Sequence, residues 1–350
     1  MMNKRRQTND IVEFVLILGS FFSLAILGFA GYSLYNAVTQ ERSTYSIVAV
    51  DPVTGDVGIA IASCVPISAG GRIILVPGKG GATAQAASLL PQHQAKMFDL
   101  LLQGVTASDI IKFVSDDSYD PEIEIRQYGV VTLNEGIIQV AGFTGKENTY
   151  WAGDQQNLTM AVSVQGNTLE NASVVSNALD AFTEEGIGAV ELSDRLLRAL
   201  EAASAAGGDN RCNQGDFQQT AQAAFIAVAK ADQLPFVGTL GKDPAPDNPA
   251  LPWLYISVIE GKGGPNPLLE LRSQYNTWRS ENLPLCTDCS LDPIPVPTGG
   301  DPKPLSRAIL LIVSRVGLGG VCIGCLIVVA LLLTLVVILY FRRRKRRSFA

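Results

Sequence analysis

The stretch RSTYSIVAV, residues 42 to 50, sets three hydroxyls, Ser43, Thr44 and Ser46, at the head of an apolar run. A hydroxyl attacks an acyl carbon only when a base removes its proton. The chain holds one histidine, His93, and no Gly-x-Ser-x-Gly segment. A Ser-His-Asp or Cys-His triad would have to run through that single ring, which sits between Gln92 and Gln94 at the start of a polar-faced helix. A zinc hydrolase site of the His-Glu-x-x-His type cannot be built from one histidine.

The six cysteines give a second set of reactive groups. Cys286 and Cys289 form a lone C-x-x-C pair, which lacks the second pair that zinc would need and reads as a small local disulfide or as two free thiols. Cys64, after the second strand, is either a thiol at the mouth of a cleft or a small buried side chain. The loop Gly78-Lys-Gly-Gly81 is not followed by the Lys-Ser/Thr of a phosphate cradle, so no cofactor and no metal is expected.

Charge narrows the partners. There are 27 basic and 33 acidic residues, and the basic ones cluster in Lys4-Arg5-Arg6 and Arg342 to Arg347. The middle of the chain is therefore acidic, which argues against a nucleic-acid surface. Residues 14–38 form an uncharged run long enough to cross a bilayer, with a cleavable signal peptide as the alternative; residues 316–341 form a second run. The positive-inside rule then places the basic segments 1–13 and 342–350 in the cytoplasm, giving a two-pass cell-membrane protein with an extracytoplasmic domain over 43–285. The Pro-rich segment 286–306 reads as an extended stalk.

The elements that must position the hydroxyls follow from pattern. TYSIVAVD and VGIAIAS, split by Pro52 and Gly55, predict a hairpin. Strands are expected at 73–76 and 82–86, helices at 92–103 and 107–115, and a second hairpin around Asn134-Glu-Gly136. A strand at 160–164, helices at 172–184 and 189–205, strands at 222–230 and 253–260, and a helix at 267–279 complete the series. Hairpins alternating with helix pairs argue for an α+β layered sandwich.

The segments TYSIVAVDPVTGDVGIAIAS, ATAQA, RQYGVV, YWAG, VSVQGN, AGGDNRC and NPLLELRSQYNTW occur in the order that marks a known family. From Thr44 to about Arg279 the chain resembles the domain of unknown function 1028 family, which is placed with the Ntn-hydrolase-like (N-terminal nucleophile) fold. The resemblance implies a four-layer αββα sandwich and puts Thr44 where an Ntn hydrolase carries its nucleophile. There the free α-amine of that residue acts as base, so no histidine is required. In this chain 43 residues precede Thr44, and an acylated nitrogen takes no proton. An amide-bond hydrolase thus requires cleavage between Ser43 and Thr44; in the uncut chain the expected role is a non-catalytic module that binds a small polar ligand or a surface partner. The other positions matching the family are Gln85, Gln165 and Asn167, as ligand-orienting amides or as groups satisfying buried backbone; Asp209 and Arg211, as an anion-reading fork or a loop-fastening pair; and Trp151, as pocket wall or core.

Overall fold

A computed structural model describes residues 44–66, 72–86, 91–184, 190–213, 218–239, 242–284 and 292–299. Strands β1 (Thr44–Val50) and β2 (Val57–Ser63) form the first hairpin. Its turn is built by Asp51, whose side chain accepts the Val53 and Thr54 amides, and by Gly55 at φ +78°, a left-handed conformation that costs glycine little. Strands β3 (Ile73–Val76) and β4 (Gly80–Ala86) follow, then helices α1 (Pro91–Leu102) and α2 (Ala107–Val114). Thr106 caps α2 by accepting the Asp109 amide at 3.2 Å. Next come β5 (Arg126–Asn134), β6 (Ile137–Thr144), β7 (Trp151–Asn157) and β8 (Val162–Leu169). Helices α3 (Ser173–Thr183) and α4 (Leu192–Ala205) precede β9 (Ala223–Ala229), β10 (Phe236–Val237) and β11 (Leu254–Ile259). Helix α5 (Pro267–Asn282) starts at Asn266, whose side chain accepts the Leu268 amide.

The strands make two antiparallel sheets, six-stranded in the order β11-β9-β2-β1-β8-β7 and five-stranded in the order β10-β3-β4-β5-β6. The sheets face each other, with β1 over β4 and β5 over β8. Helices α1 and α2 cover the outside of the five-stranded sheet, and α3, α4 and α5 the outside of the other. Because both faces of each sheet are covered, β1, β2, β4 and β8 are buried at every position. That burial removes the apolar-polar alternation a half-exposed strand would show.

The reading of an α+β four-layer αββα sandwich flanked by two transmembrane helices is corrected to a mixed α/β arrangement of two antiparallel sheets and five helices. Simple helix pairs do not describe it, since a third helix, α5, packs on β9 and β11 beside α4. Among the described residues no helix is long and apolar enough to cross a membrane. The longest has 16 residues, about 24 Å at 1.5 Å per residue, against roughly 30 Å of hydrocarbon. The apolar runs 14–38 and 316–341, with the basic ends 1–13 and 342–350, lie outside the described residues. The two-pass cell-membrane placement is corrected on the same finding, that no described helix is long and apolar enough to cross. Residues 292–299, inside the expected stalk, lie against the helical layer: Arg198 donates to the Asp292 carbonyl, Ile294 N to Glu201, and Asn266 N to the Thr298 carbonyl.

Candidate functional site

Residue parity on the buried strands decides which side chains enter the space between the sheets. On β1 the residues Tyr45, Ile47 and Ala49 pack against the helical layer, while Val48 and Val50 join the core between the sheets. Thr44 and Ser46 share the parity of Val48, so the hydroxyls enter the same inter-sheet layer. By the same rule β8 contributes Ser163, Gln165 and Asn167, β4 contributes Thr83 and Gln85, and β5 contributes Gln127. All eight are buried.

Seven of these side chains form one continuous hydrogen-bond network, which Thr44 joins through its backbone carbonyl. Ser46 Oγ donates to Gln85 Oε1 at 2.7 Å and accepts from Gln165 Nε2 at 2.6 Å. Gln165 Nε2 also donates to Thr83 Oγ1 at 2.9 Å, and its Oε1 accepts from Ser163 Oγ. Gln85 Nε2 lies 2.7 Å from Gln127 Oε1 and 3.3 Å from both the Thr44 and Gln165 carbonyls. Asn167 Nδ2 donates to the same Gln127 oxygen at 2.8 Å. Gln127 Nε2 in turn donates to the Gly166 carbonyl, Thr144 Oγ1 and the Gly153 carbonyl. Thr144 Oγ1 donates a hydrogen bond to the Asp154 carboxylate, which also accepts from Gln156.

Two glycines make room for this polarity. A Cβ on Gly129 would lie 2.1 Å from Gln165 Oε1, and one on Gly142 would lie 2.5 Å from Asp154 Oδ2. Two non-glycine residues, Ala86 at φ +65° and Thr168 at φ +54°, adopt left-handed backbone. They directly follow Gln85 and Asn167, and such conformations cost about 1–3 kcal/mol each and gather at functional positions.

Thr44 opens β1 opposite Asn167 in the strand register, with its Oγ1 3.4 Å from Ser63 Oγ. Sequence and structure thus bring Thr44, Gln85, Gln165 and Asn167 into one cluster. Gln127, its hub, was not singled out from sequence, although it stands in the RQYGVV segment; with both faces of β5 buried over Arg126 to Thr132, no alternation marked it. Trp151 is placed apart: it pairs with Leu169 beside a bulge, packs its ring over Gly153 and leans on the core under the helices.

Asp209 is fully buried and fully engaged. Its carboxylate accepts from the Cys64 amide at 2.9 Å, the Arg211 amide, and the Arg211 guanidinium through Nε and Nη2. The pair therefore fastens the 209–213 loop to the end of β2. A disulfide between Cys64 and Cys212, S–S 2.07 Å, fastens it covalently. This bond corrects both sequence readings of Cys64, as reactive thiol and as plain core residue. A spacing of 148 residues carries no pairing signal, and closing so long a loop restrains the unfolded chain by roughly 5 kcal/mol in the chain-entropy picture. Cys286 and Cys289 lie outside the described residues.

His93 sits elsewhere, between α1 and β5. Its Nδ1 is 2.7 Å from the Tyr128 hydroxyl and its Nε2 3.6 Å from Asp120, which Arg126 also holds at 2.7 Å. Burial pushes the imidazole below its ordinary pKa; Asp120 opposes that effect and Arg126 adds to it. The ring thus serves the outer face of the five-stranded sheet, not the Thr44 cluster. No group of ligating side chains able to hold a metal ion occurs among the described residues.

A two-sheet domain with a polar amide cluster at the head of its first strand is the class that fold and site define. The profile described as "Family of unknown function (DUF1028)" matches residues 44–247, more than half of the chain, and the chain belongs to this family. A crystal structure of a protein from Silicibacter pomeroyi carrying the same family designation superposes with a TM-score of 0.51 at 23% identity, covering 71% of this chain and 88% of that one. At that identity the likeness shows the fold alone. Comparison with curated proteins found no match.

Proposed function

We propose that Thr44 occupies the nucleophile position of an Ntn-hydrolase-like framework, and that the uncut chain acts as a binding module for a small polar ligand or a partner. The observation that carries this reading is the convergence of Gln85 and Asn167 on a buried threonine at the first position of β1. With Ser43 still attached, the Thr44 nitrogen is an amide and holds no basic lone pair. After cleavage the freed amine would take the Thr44 hydroxyl proton as Oγ1 attacks an amide carbonyl. It would then give that proton to the departing amine, leaving an ester on Thr44 that water opens.

N-terminal sequencing of the recovered protein, with labelling by a β-lactone electrophile, tests the reading. A chain starting at Thr44 and labelled on its hydroxyl supports the hydrolase form. An intact start without labelling confines the domain to binding. Binding itself is tested by thermal shift against a panel of free amino acids and small amides: stabilisation that survives Thr44→Ala and falls in Gln165→Ala is expected. A panel with no effect on the wild-type chain would sink the binding arm.

A further inference from the structure

We propose that Gln127 is the positioning residue of the Thr44 site, an inference that rests on the reading of Thr44 given above. A carboxamide offers two donors at nitrogen and one carbonyl acceptor, so fixing either end fixes the other. Gln127 Nε2 faces the Gly166 carbonyl at 2.8 Å, Thr144 Oγ1 at 2.9 Å and the Gly153 carbonyl at 3.2 Å. Backbone carbonyls only accept, so this end must be the NH2. Its Oε1 is thereby turned toward Gln85 Nε2 at 2.7 Å and Asn167 Nδ2 at 2.8 Å, and both of those amides must present hydrogens to it.

The direction propagates from there to the strand head. Gln85, with its NH2 on Gln127, turns Oε1 to the Ser46 hydroxyl, and the same NH2 reaches the Thr44 carbonyl at 3.3 Å. Holding that carbonyl fixes rotation about the Cα–C bond of Thr44. Asn167, across the register from Thr44, is aimed by the same oxygen. One glutamine on the five-stranded sheet thus reads two carbonyls of β7 and β8 and sets the orientation of both amides beside Thr44. It touches no reacting atom, and its role is exerted through Gln85 and Asn167.

The test uses the full chain with its Gln and Asn side chains labelled with 15N, and reads the side-chain NH2 resonances together with backbone hydrogen exchange. Gln127→Glu keeps the shape and, once ionised, cannot donate to Gly153 or Gly166. Leaving buried carbonyls unmet is expected to speed exchange over Thr44 to Ser46 about tenfold. The Gln85 and Asn167 NH2 lines are expected to move downfield, because their acceptor becomes a carboxylate. Gln127→Met, neutral and of similar length, is expected to give the faster exchange without the downfield move. Thr106→Ala, which removes only the cap of α2 on the outer side of the five-stranded sheet, is expected to leave all three readouts at Gln85, Asn167 and Thr44 unchanged. Wild-type resonances and exchange in both Gln127 variants would overturn the proposal, and so would a loss of protection spread evenly over both sheets, which would mark Gln127 as packing only. A positive result in a chain that shows no Thr44 labelling would uphold the positioning role while removing the catalytic reading it was meant to serve.

Discussion

The layer between the two sheets has two ends that share strands β1 and β5 and are built on opposite chemistry. Around Val48, Val50, Ile59, Ile61, Ile73, Leu75 and Phe225 it is wholly apolar. Two residues earlier on β1, at Thr44 and Ser46, it becomes a closed set of amides and hydroxyls. The apolar end gains stability from removing surface from water and tolerates changes of detail. The polar end gains little net stability, because each bond replaces one to water, yet it loses heavily if any member is left unmet. What the contrast teaches is that one end holds the sheets together and the other dictates a single arrangement of side chains at the head of β1.

The largest effect expected from breaking this contrast comes at the apolar end. Phe225→Ala, emptying a fully buried ring that meets Tyr255 edge-on at 4.9 Å, should cost about 3–5 kcal/mol in denaturant unfolding while leaving the Gln85 and Asn167 side-chain resonances in place. Gln165→Leu at the polar end comes next. It deprives Ser46, Thr83 and Ser163 of partners and should cost about 1–3 kcal/mol, with loss of hydrogen-exchange protection concentrated at residues 44–46. Equal loss at both ends would erase the distinction.

The smallest effect sharpens the contrast with a third region, the His93 cluster. Because the folded imidazole has a lowered pKa, the unfolded chain takes up a proton first as pH falls below about 6.5, and the folded state is disfavoured from there down to its own pKa. The loss is bounded at about 1.4 kcal/mol per pH unit for one proton. The groups facing the ring are Asp120, Arg126, Tyr119 and Tyr128. Asp120 has a pKa below the usual carboxylate range, because the Arg126 and Glu122 contacts outweigh its burial. Its contribution is therefore present above about pH 3.9 and disappears only as pH falls through the lower folded value. Urea titrations of His93→Gln between pH 7 and 5 should show a flatter dependence than the wild-type chain; identical slopes would exclude the ring as the source.

Much of the element series was legible because its signals are local. Pro52 and Gly55 mark the first hairpin, Asn134-Glu-Gly136 the second, and Asn266-Pro267 the start of α5, each through backbone preferences that act within a few residues. Strand β7, WAGDQQN, escaped notice because its glycine and polar residues give no β-propensity signal; it forms because β8 offers an edge to pair with. The cluster members Thr44, Gln85, Gln165 and Asn167 could be named from sequence, but Gln127 could not. Its importance is a matter of five contacts to four other strands, none of them near it in the chain.

The sequence by itself determined most of the strand and helix series, that a conventional triad would have to run through the one histidine, and that catalysis by a free Thr44 amine hinges on the Ser43–Thr44 bond. Those are consequences of residue type and short-range sterics. Only the tertiary structure decided that Cys64 pairs with Cys212, that Asp209 and Arg211 fasten a loop, and that Gln127 directs the amides beside Thr44. Each of these depends on groups 40 to 150 residues apart, or on the direction of a hydrogen bond, and chain order encodes neither until two covered sheets bring them within 3 Å.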